Sequence, residues 1–250
     1  MTEAIYRNGA FVDAPTAGDE PFVYQYMRTD GHRLLCAKRY VALLDAASWR
    51  VRGCASGLTA EAVAHAVGQL LWHNGYPSDR SNVVLLRSYG AGDYSISCCG
   101  TSLYDTLSLR ALRPQAVEVE AGGVFAGVPT SAAFAEARLL AEYVREQGAV
   151  AFVAIDSAGR AVSVDGATPV VVRQGRIAVS VRSFSAEAEI VMHALERAGR
   201  DVELREIVRD ELFAADELWG VDYRGITAVA ECGGRAYADI IADVTARQLR

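Results

Sequence analysis

Lysine is almost missing from this chain. Lys38 is the single one among 250 residues, and apart from four histidines every other basic side chain is arginine. Arginine stays protonated and so does not form a useful Schiff base, which leaves imine chemistry one candidate. Long apolar runs are missing too: none could span a bilayer, and 2–15 does not look like a signal peptide. A cytoplasmic protein with no membrane contact is the expectation. No basic stripe interrupts a formal charge of −6, which argues against nucleic acid as a partner. The five cysteines are odd in number and have no CxxC spacing. They read as reduced, mostly buried thiols, neither a disulfide frame nor a zinc site. No metal-ligand spacing occurs, and neither repeats nor low-complexity tracts appear.

What is present is apolar substance: 51% hydrophobic residues can bury one full core, or two of modest size. The most organised stretch is 185–235. Ile190, Ala194 and Ala198 fall on one helical face, and Gly199 stands where a helix-ending glycine belongs. Val202, Leu204 and Ile207 begin an extended piece, 209–215 reads as a short acidic helix, and two more strands follow around Gly233 and Gly234. Upstream, 4–12 reads as a hairpin about Asn8-Gly9. A strand over 22–29 turns at Asp30-Gly31 and returns through 32–36. Helices are expected over 37–48 and 59–74, with Thr59 as N-cap. Strands over 82–89 and 94–99 flank the Gly-rich turn SYGAGDYS. A helix over 131–147 ends at Gly148, and a strand over 150–155, a turn over 156–159 and two more strands out to Val179 follow.

The order in 185–235 resembles the C-terminal half of the class IV aminotransferases, which include branched-chain and D-amino-acid aminotransferases and aminodeoxychorismate lyase. Val202, Glu203, Arg205, Ile207, Glu211, Leu212, Ala215, Asp216, Glu217, Leu218 and Trp219 carry the likeness. It extends over nearly the whole chain. It implies a mixed α/β (α+β) fold of two domains, 1–120 and 132–250, joined by an interdomain linker over 121–131. It also implies a homodimer and a small-molecule substrate.

Enzymes of that family use pyridoxal phosphate as an electron sink, held as a Schiff base on a lysine. Counting back from Gly148 puts the lysine position at Pro129. The phosphate-binding arginine aligns with Ala42. The acid at the ring nitrogen aligns with Ser163, and the neighbouring asparagine with Thr168. The first phosphate cradle aligns with Ser185, Ala186 and Glu187, whose carboxylate complements the helix dipole on its own. The second becomes Val221, Asp222 and Tyr223. Lysine, arginine, acid and cradle hydroxyls are lost together, so no cofactor is expected; Lys38 reads as a solvated residue.

Near the family's pocket positions stand other polar groups. Asp222, Tyr223, Tyr26 and Asp93 are candidate acid–base residues, and Arg224, Tyr24, Arg87, Tyr89, Thr130 and Ser131 are candidate substrate-binding residues. In the 22–29 strand, Tyr24 and Tyr26 face the pocket, or Val23, Gln25 and Met27 do if the register differs by one. One of Cys98 and Cys99 points inward if the strand alternates, most simply as a structural thiol. His73 and His193 read as structural, and Trp49, Trp72 and Trp219 as core or interface aromatics. Three functions stay open: a repurposed enzyme running lyase, dehydratase, isomerase or cyclase chemistry without pyridoxal phosphate; a non-catalytic pseudoenzyme that binds a ligand or pairs with an active paralogue; and a transaminase or lyase using Lys38.

Overall fold

A computed structural model describes residues 3–13, 20–104 and 107–249. Parts of the N-terminal segment 2–15 lie outside the described residues. The chain forms two compact units, Met1–Asp105 with Val128–Phe134, and Thr106–Gly127 with Ala135–Arg250.

In the first unit, β1 (Ala4–Arg7) and β2 (Ala10–Asp13) form the expected hairpin, with Asn8 at φ 48 and Gly9 at φ 95. Two consecutive left-handed residues make the turn whose twist matches the strands. β3 (Val23–Asp30) turns through Gly31 into β4 (Arg33–Leu34). Helices α1 (Ala37–Arg52) and α2 (Ala60–His73) follow, and the Thr59 hydroxyl accepts the Ala62 N–H at 3.2 Å. β5 (Asn82–Gly90) and β6 (Asp93–Thr101) complete an antiparallel sheet in the order β2-β1-β6-β5-β3-β4.

Pairing of β3 with β5 sets Tyr24 opposite Arg87 and Tyr26 opposite Leu85, while β6 sets Ser95 opposite Arg87 and Ser97 opposite Leu85. Directly paired residues share a face. One face therefore carries Tyr24, Tyr26, Arg87, Ser95 and Ser97. The other carries Val23, Met27, Val84, Leu86 and Ile96, each 0% exposed, with α1 against β3 and α2 against β6. Of the two registers open for this strand, Val23 and Met27 belong to the core and the tyrosines face away from it. Alternation fails at one place. Val83 pairs with Gly100 and Val84 with Cys98, so Cys99 is the extra residue of a β-bulge, and the expected inward–outward alternation of the two thiols does not hold.

The second unit contains β7 (Gln115–Ala121), α3 (Ser131–Glu146, its first turn in the first unit), β8 (Ala151–Asp156), β9 (Ala161–Val164), β10 (Thr168–Arg173) and β11 (Arg176–Ser180). Then come α4 (Ala186–Arg197), β12 (Val202–Arg205), α5 (Arg209–Ala214), β13 (Glu217–Asp222), β14 (Gly225–Ala228), β15 (Glu231–Cys232), β16 (Arg235–Ala236) and α6 (Ile240–Gln248). Two sheets, ordered β16-β15-β7-β8-β9 and β12-β11-β10-β13-β14, face each other across a core of Val153, Ile155, Val171, Ala178 and Leu218. Alternate residues Val170, Val172, Trp219 and Val221 point the other way, into a core shared with α4 and α6. Phe152 and Ala154 do the same from β8 towards α3 through Val144 and Leu140. Strands covered on both faces read as continuous apolar runs, as β8 and β10 do. β7 pairs in parallel with β8 and so sits in the second unit's sheet, whereas 128–134 belongs to the first unit.

Candidate functional site

The tyrosine face of the first unit is an aromatic cluster. Tyr24 lies edge-on to Tyr26 at 5.7 Å and to Phe134 at 5.4 Å, and Phe22 lies 5.9 Å from Phe134 and 6.0 Å from Tyr89. Phe134 reaches this face because the segment before α3 runs along the start of β3. Tyr24 donates its N–H to the Pro129 carbonyl at 2.9 Å, and Ser131 donates to the Phe22 carbonyl at 2.8 Å. Thr130 is spent locally, its hydroxyl accepting the Ala133 N–H at 3.3 Å. The Arg87 guanidinium carbon sits 5.6 Å from the Phe22 ring centre and 5.7 Å from that of Phe134, with Nη1 donating to Ser97 Oγ at 3.1 Å. Burial, with the neighbouring Tyr26, pushes the Tyr24 hydroxyl up to about 12, which keeps it a neutral donor at physiological pH. Asp93 accepts from Asn8 Nδ2 at 2.8 Å and faces Arg7 at 3.6 Å, so its carboxylate ties β6 to the first hairpin.

The second unit gathers Asp222, Tyr223 and Arg224 at the turn between β13 and β14. Arg224 Nε donates to Asp222 Oδ2 at 2.8 Å, and its main-chain N–H donates to Asp222 Oδ1 at 2.8 Å. Its Nη1 donates to Asp165 Oδ2 at 2.7 Å and its Nη2 to the Asp165 carbonyl at 2.6 Å. Burial opposes the charge on Arg224, but Asp222 and Asp165 hold it protonated above its ordinary value. Burial pushes the Asp165 carboxyl up, and Arg224 only partly offsets this. Asp165 was not legible in the sequence as a site residue. It lies at φ 52, with its N–H bonded to the Phe152 carbonyl at 2.7 Å. Phe22, Phe134 and Ser97 were missed for a similar reason, since only the pairing of β5 with β6 and the docking of the segment before α3 bring them to Arg87.

The positions that the resemblance gives to cofactor groups are occupied by residues bonded to their own chain. Thr168 Oγ1 donates to the Ser183 carbonyl at 2.7 Å and accepts the Ser185 N–H at 2.9 Å. Ser185 caps α4, accepting the Ala188 N–H at 3.0 Å and donating to the Val221 carbonyl at 3.1 Å. Glu187, in the first turn of α4, is 2% exposed, and Ser163 is buried on β9. Lys38 is exposed on α1.

Other residues stand apart. His73 stacks on Phe11 at 4.2 Å, and His193 pairs with Glu196 at 3.0 Å. The thiols depart from the mostly buried state expected of them: Cys36, Cys54 and Cys99 are exposed, Cys98 is half-buried, and Cys232 alone is buried. Cys36 and Cys54 flank the two ends of α1 and Cys99 is the bulge, which puts them at the surface. Of the tryptophans, Trp219 is 0% exposed, whereas Trp49 is 59% and Trp72 75% exposed. No helix is long and apolar enough to cross a membrane, and no metal-binding group of three or more His, Cys, Asp or Glu occurs, among the described residues.

No protein-family model matches the chain, and no curated protein matches it. Solved structures do. A branched-chain aminotransferase from the archaeon Thermoproteus uzoniensis, solved with norvaline, superposes with a TM-score of 0.79 at 18% identity, over 98% of this chain and 92% of that one. A fold IV-transaminase from Curtobacterium pusillum gives 0.76 at 17% identity, over 98% and 97%. The fold is that of the class IV aminotransferases. A hypothetical aminotransferase from Mycobacterium tuberculosis, in its PLP-bound form, gives 0.77 at 13% identity, over 98% and 96%. Identities this low establish the class IV fold and leave the chemistry to the residues.

Proposed function

We propose that this class IV fold works without pyridoxal phosphate, as a cytoplasmic homodimer acting on a small organic substrate by acid–base chemistry of the lyase, dehydratase, isomerase or cyclase type. The observation that carries the reading is the Asp165–Arg224–Asp222 network at the position the resemblance assigns to a phosphate cradle. A phosphate needs free N–H and hydroxyl donors at a helix N-terminus. Here the Thr168 and Ser185 hydroxyls donate to carbonyls, and Asp222 places a carboxylate where a dianion would have to sit. With Pro129 at the lysine position and Lys38 exposed on α1, the residues present do not fit the cofactor. What remains suits proton transfer. Asp222 and Tyr223 offer a carboxylate and a phenol on consecutive residues, and Asp165, its carboxyl raised by burial, offers a second acid.

The test is an absorbance spectrum of the purified protein before and after incubation with pyridoxal phosphate, followed by borohydride trapping and peptide mapping. The expected result is no visible band and an unchanged melting temperature. A band that traps on Lys38 overturns the reading and restores a transaminase or lyase.

One observation favours a second reading, a non-catalytic protein that pairs with a partner: α3 exposes Leu139 (69%) and Tyr143 (49%) along its outer side. Turnover of a small carboxylic or carbonyl compound that is lost in Asp222→Asn would eliminate that reading.

A further inference from the structure

Two buried polar atoms on α1, Ser48 Oγ and Arg52 Nη1, have no hydrogen-bond partner among the described residues. They stand one helical turn apart, at i and i+4, where side chains are neighbours with about 6 Å between Cβ atoms. Both continue the buried stripe of Tyr40, Val41, Leu44 and Ala47 on α1, and Ser48 is 1% exposed. Arg52 does not swing freely. Its Nη2 donates to the Pro21 carbonyl at 3.2 Å and to the Ser88 carbonyl at 3.0 Å, which pins the guanidinium beside the start of β3 and the end of β5. Helix α1 has one acid, Asp45, and its Oδ1 accepts from the Ser56 N–H at 2.8 Å and hydroxyl at 2.5 Å. The Arg52 cation therefore meets carbonyl oxygens but no carboxylate among the described residues. A buried donor costs stability unless something satisfies it, and a cation without a counter-ion adds to that cost. Trp219 Nε1 and Tyr237 Oη are also unpartnered, but each lies alone, in a different core.

We propose that Ser48 and Arg52 hold a small monovalent anion, chloride or another halide, between α1 and the strand ends. Charge and donor type select that class. The hydroxyl and the Nη1 group both carry hydrogens, and the guanidinium is a full cation with no counter-ion. A halide accepts from both and donates nothing, whereas the oxygens of a phosphate ask for more donors than this pair offers. The strand side of the site belongs to the core. Ser88, whose carbonyl Arg52 holds, pairs with Val23, and both are 0% exposed. The bound anion neutralises Arg52 and satisfies Ser48, and so secures the link from α1 to Pro21 and Ser88. Its effect is on the stability of the first unit.

The experiment is thermal unfolding of the full chain and of Ser48→Ala, each in sodium chloride and in sodium gluconate at equal ionic strength. Screening and general salt effects act on both proteins, so the difference between their melting temperatures reads the site. In gluconate, Ser48→Ala is expected to melt with the parent chain or above it, because it deletes a buried hydroxyl that lacks a partner. At saturating chloride the parent chain should melt about 2–4 °C above Ser48→Ala, since an anion bound only by the folded state stabilises it. Arg52→Gln, which keeps a side-chain N–H without the charge, should lose the chloride response. Crystals grown in bromide should show anomalous scattering between Ser48 Oγ and Arg52 Nη1. Circular dichroism checks that each variant folds; if Arg52→Gln does not, Ser48→Ala and the bromide signal decide. A melting difference that is the same in both salts would assign the position to water and overturn the proposal. An undiminished chloride response in Arg52→Gln, or bromide absent from the pair, would overturn it as well.

Discussion

Arg224 reaches back 59 positions to Asp165, donating Nη1 to the carboxylate at 2.7 Å and Nη2 to the main-chain carbonyl at 2.6 Å. The same guanidinium holds Asp222 through Nε at 2.8 Å. Sequence reading treats Arg224 as a clamp for a substrate carboxylate. In the fold its fork is committed to two acids of its own chain, Asp165 and Asp222.

Replacing that guanidinium should therefore be costly. Arg224→Met leaves two partly buried carboxylates without a counter-ion and is expected to destabilise the protein by about 3 kcal/mol. Arg224→Lys should recover only part of this, since a point charge cannot serve Nε, Nη1 and Nη2 positions at once. Urea unfolding of both variants is the check, and a loss under about 1 kcal/mol in Arg224→Met would count against the network.

A second pair predicts a pH dependence. Arg205 donates to both oxygens of Glu211 at 2.8 and 2.9 Å, and the Val208 N–H adds a bond at 3.0 Å. The hydrogen bonds from Arg205 hold the Glu211 carboxyl below its ordinary value, with burial opposing. A depressed folded value means that the stabilisation is fully present above the unfolded value of about 4.3 and disappears as pH falls through the folded value. Glu211→Gln should cost about 1 kcal/mol at neutral pH, a figure discounted for solvent screening. Melting temperatures of the two proteins should converge as the pH falls below the folded value.

Two glycines separate backbone strain from steric clash. Gly9 is at φ 95 with open space where a Cβ would go, whereas at Gly31, φ 56, a Cβ would lie 2.2 Å from the Ser78 carbonyl oxygen. Gly9→Ala is expected to cost about 1 kcal/mol and Gly31→Ala about 2 kcal/mol or more, measured by thermal unfolding. Equal costs would mean that the Ser78 contact relaxes freely.

Local signals were legible in the chain. Asn8-Gly9 encodes its turn in two adjacent residues. Gly199 ends α4 as read, its N–H bonded to the Glu196 carbonyl at 2.9 Å and that of Arg200 to Leu195 at 3.0 Å. Thr59 caps α2 through a residue three positions on. The Cys99 bulge was not legible, because a bulge is a property of two strands and only one of them contains the cysteines. The surface cysteines were misplaced for a related reason: burial depends on what covers an element.

The sequence by itself determined which segments are helix, strand and turn across most of the chain, that the fold is a class IV one, and that lysine can contribute at a single position. These follow from residue type and short spacing, where the interactions are between near neighbours. Only the tertiary structure decided that Tyr24 and Tyr26 share a face with Arg87, that Phe134 joins them, and that Asp165 holds Arg224. Each of those contacts joins strands or segments far apart in the chain, and the register that aligns them is set by the buried residues on the opposite face, such as Val23 and Met27 at 0% exposure.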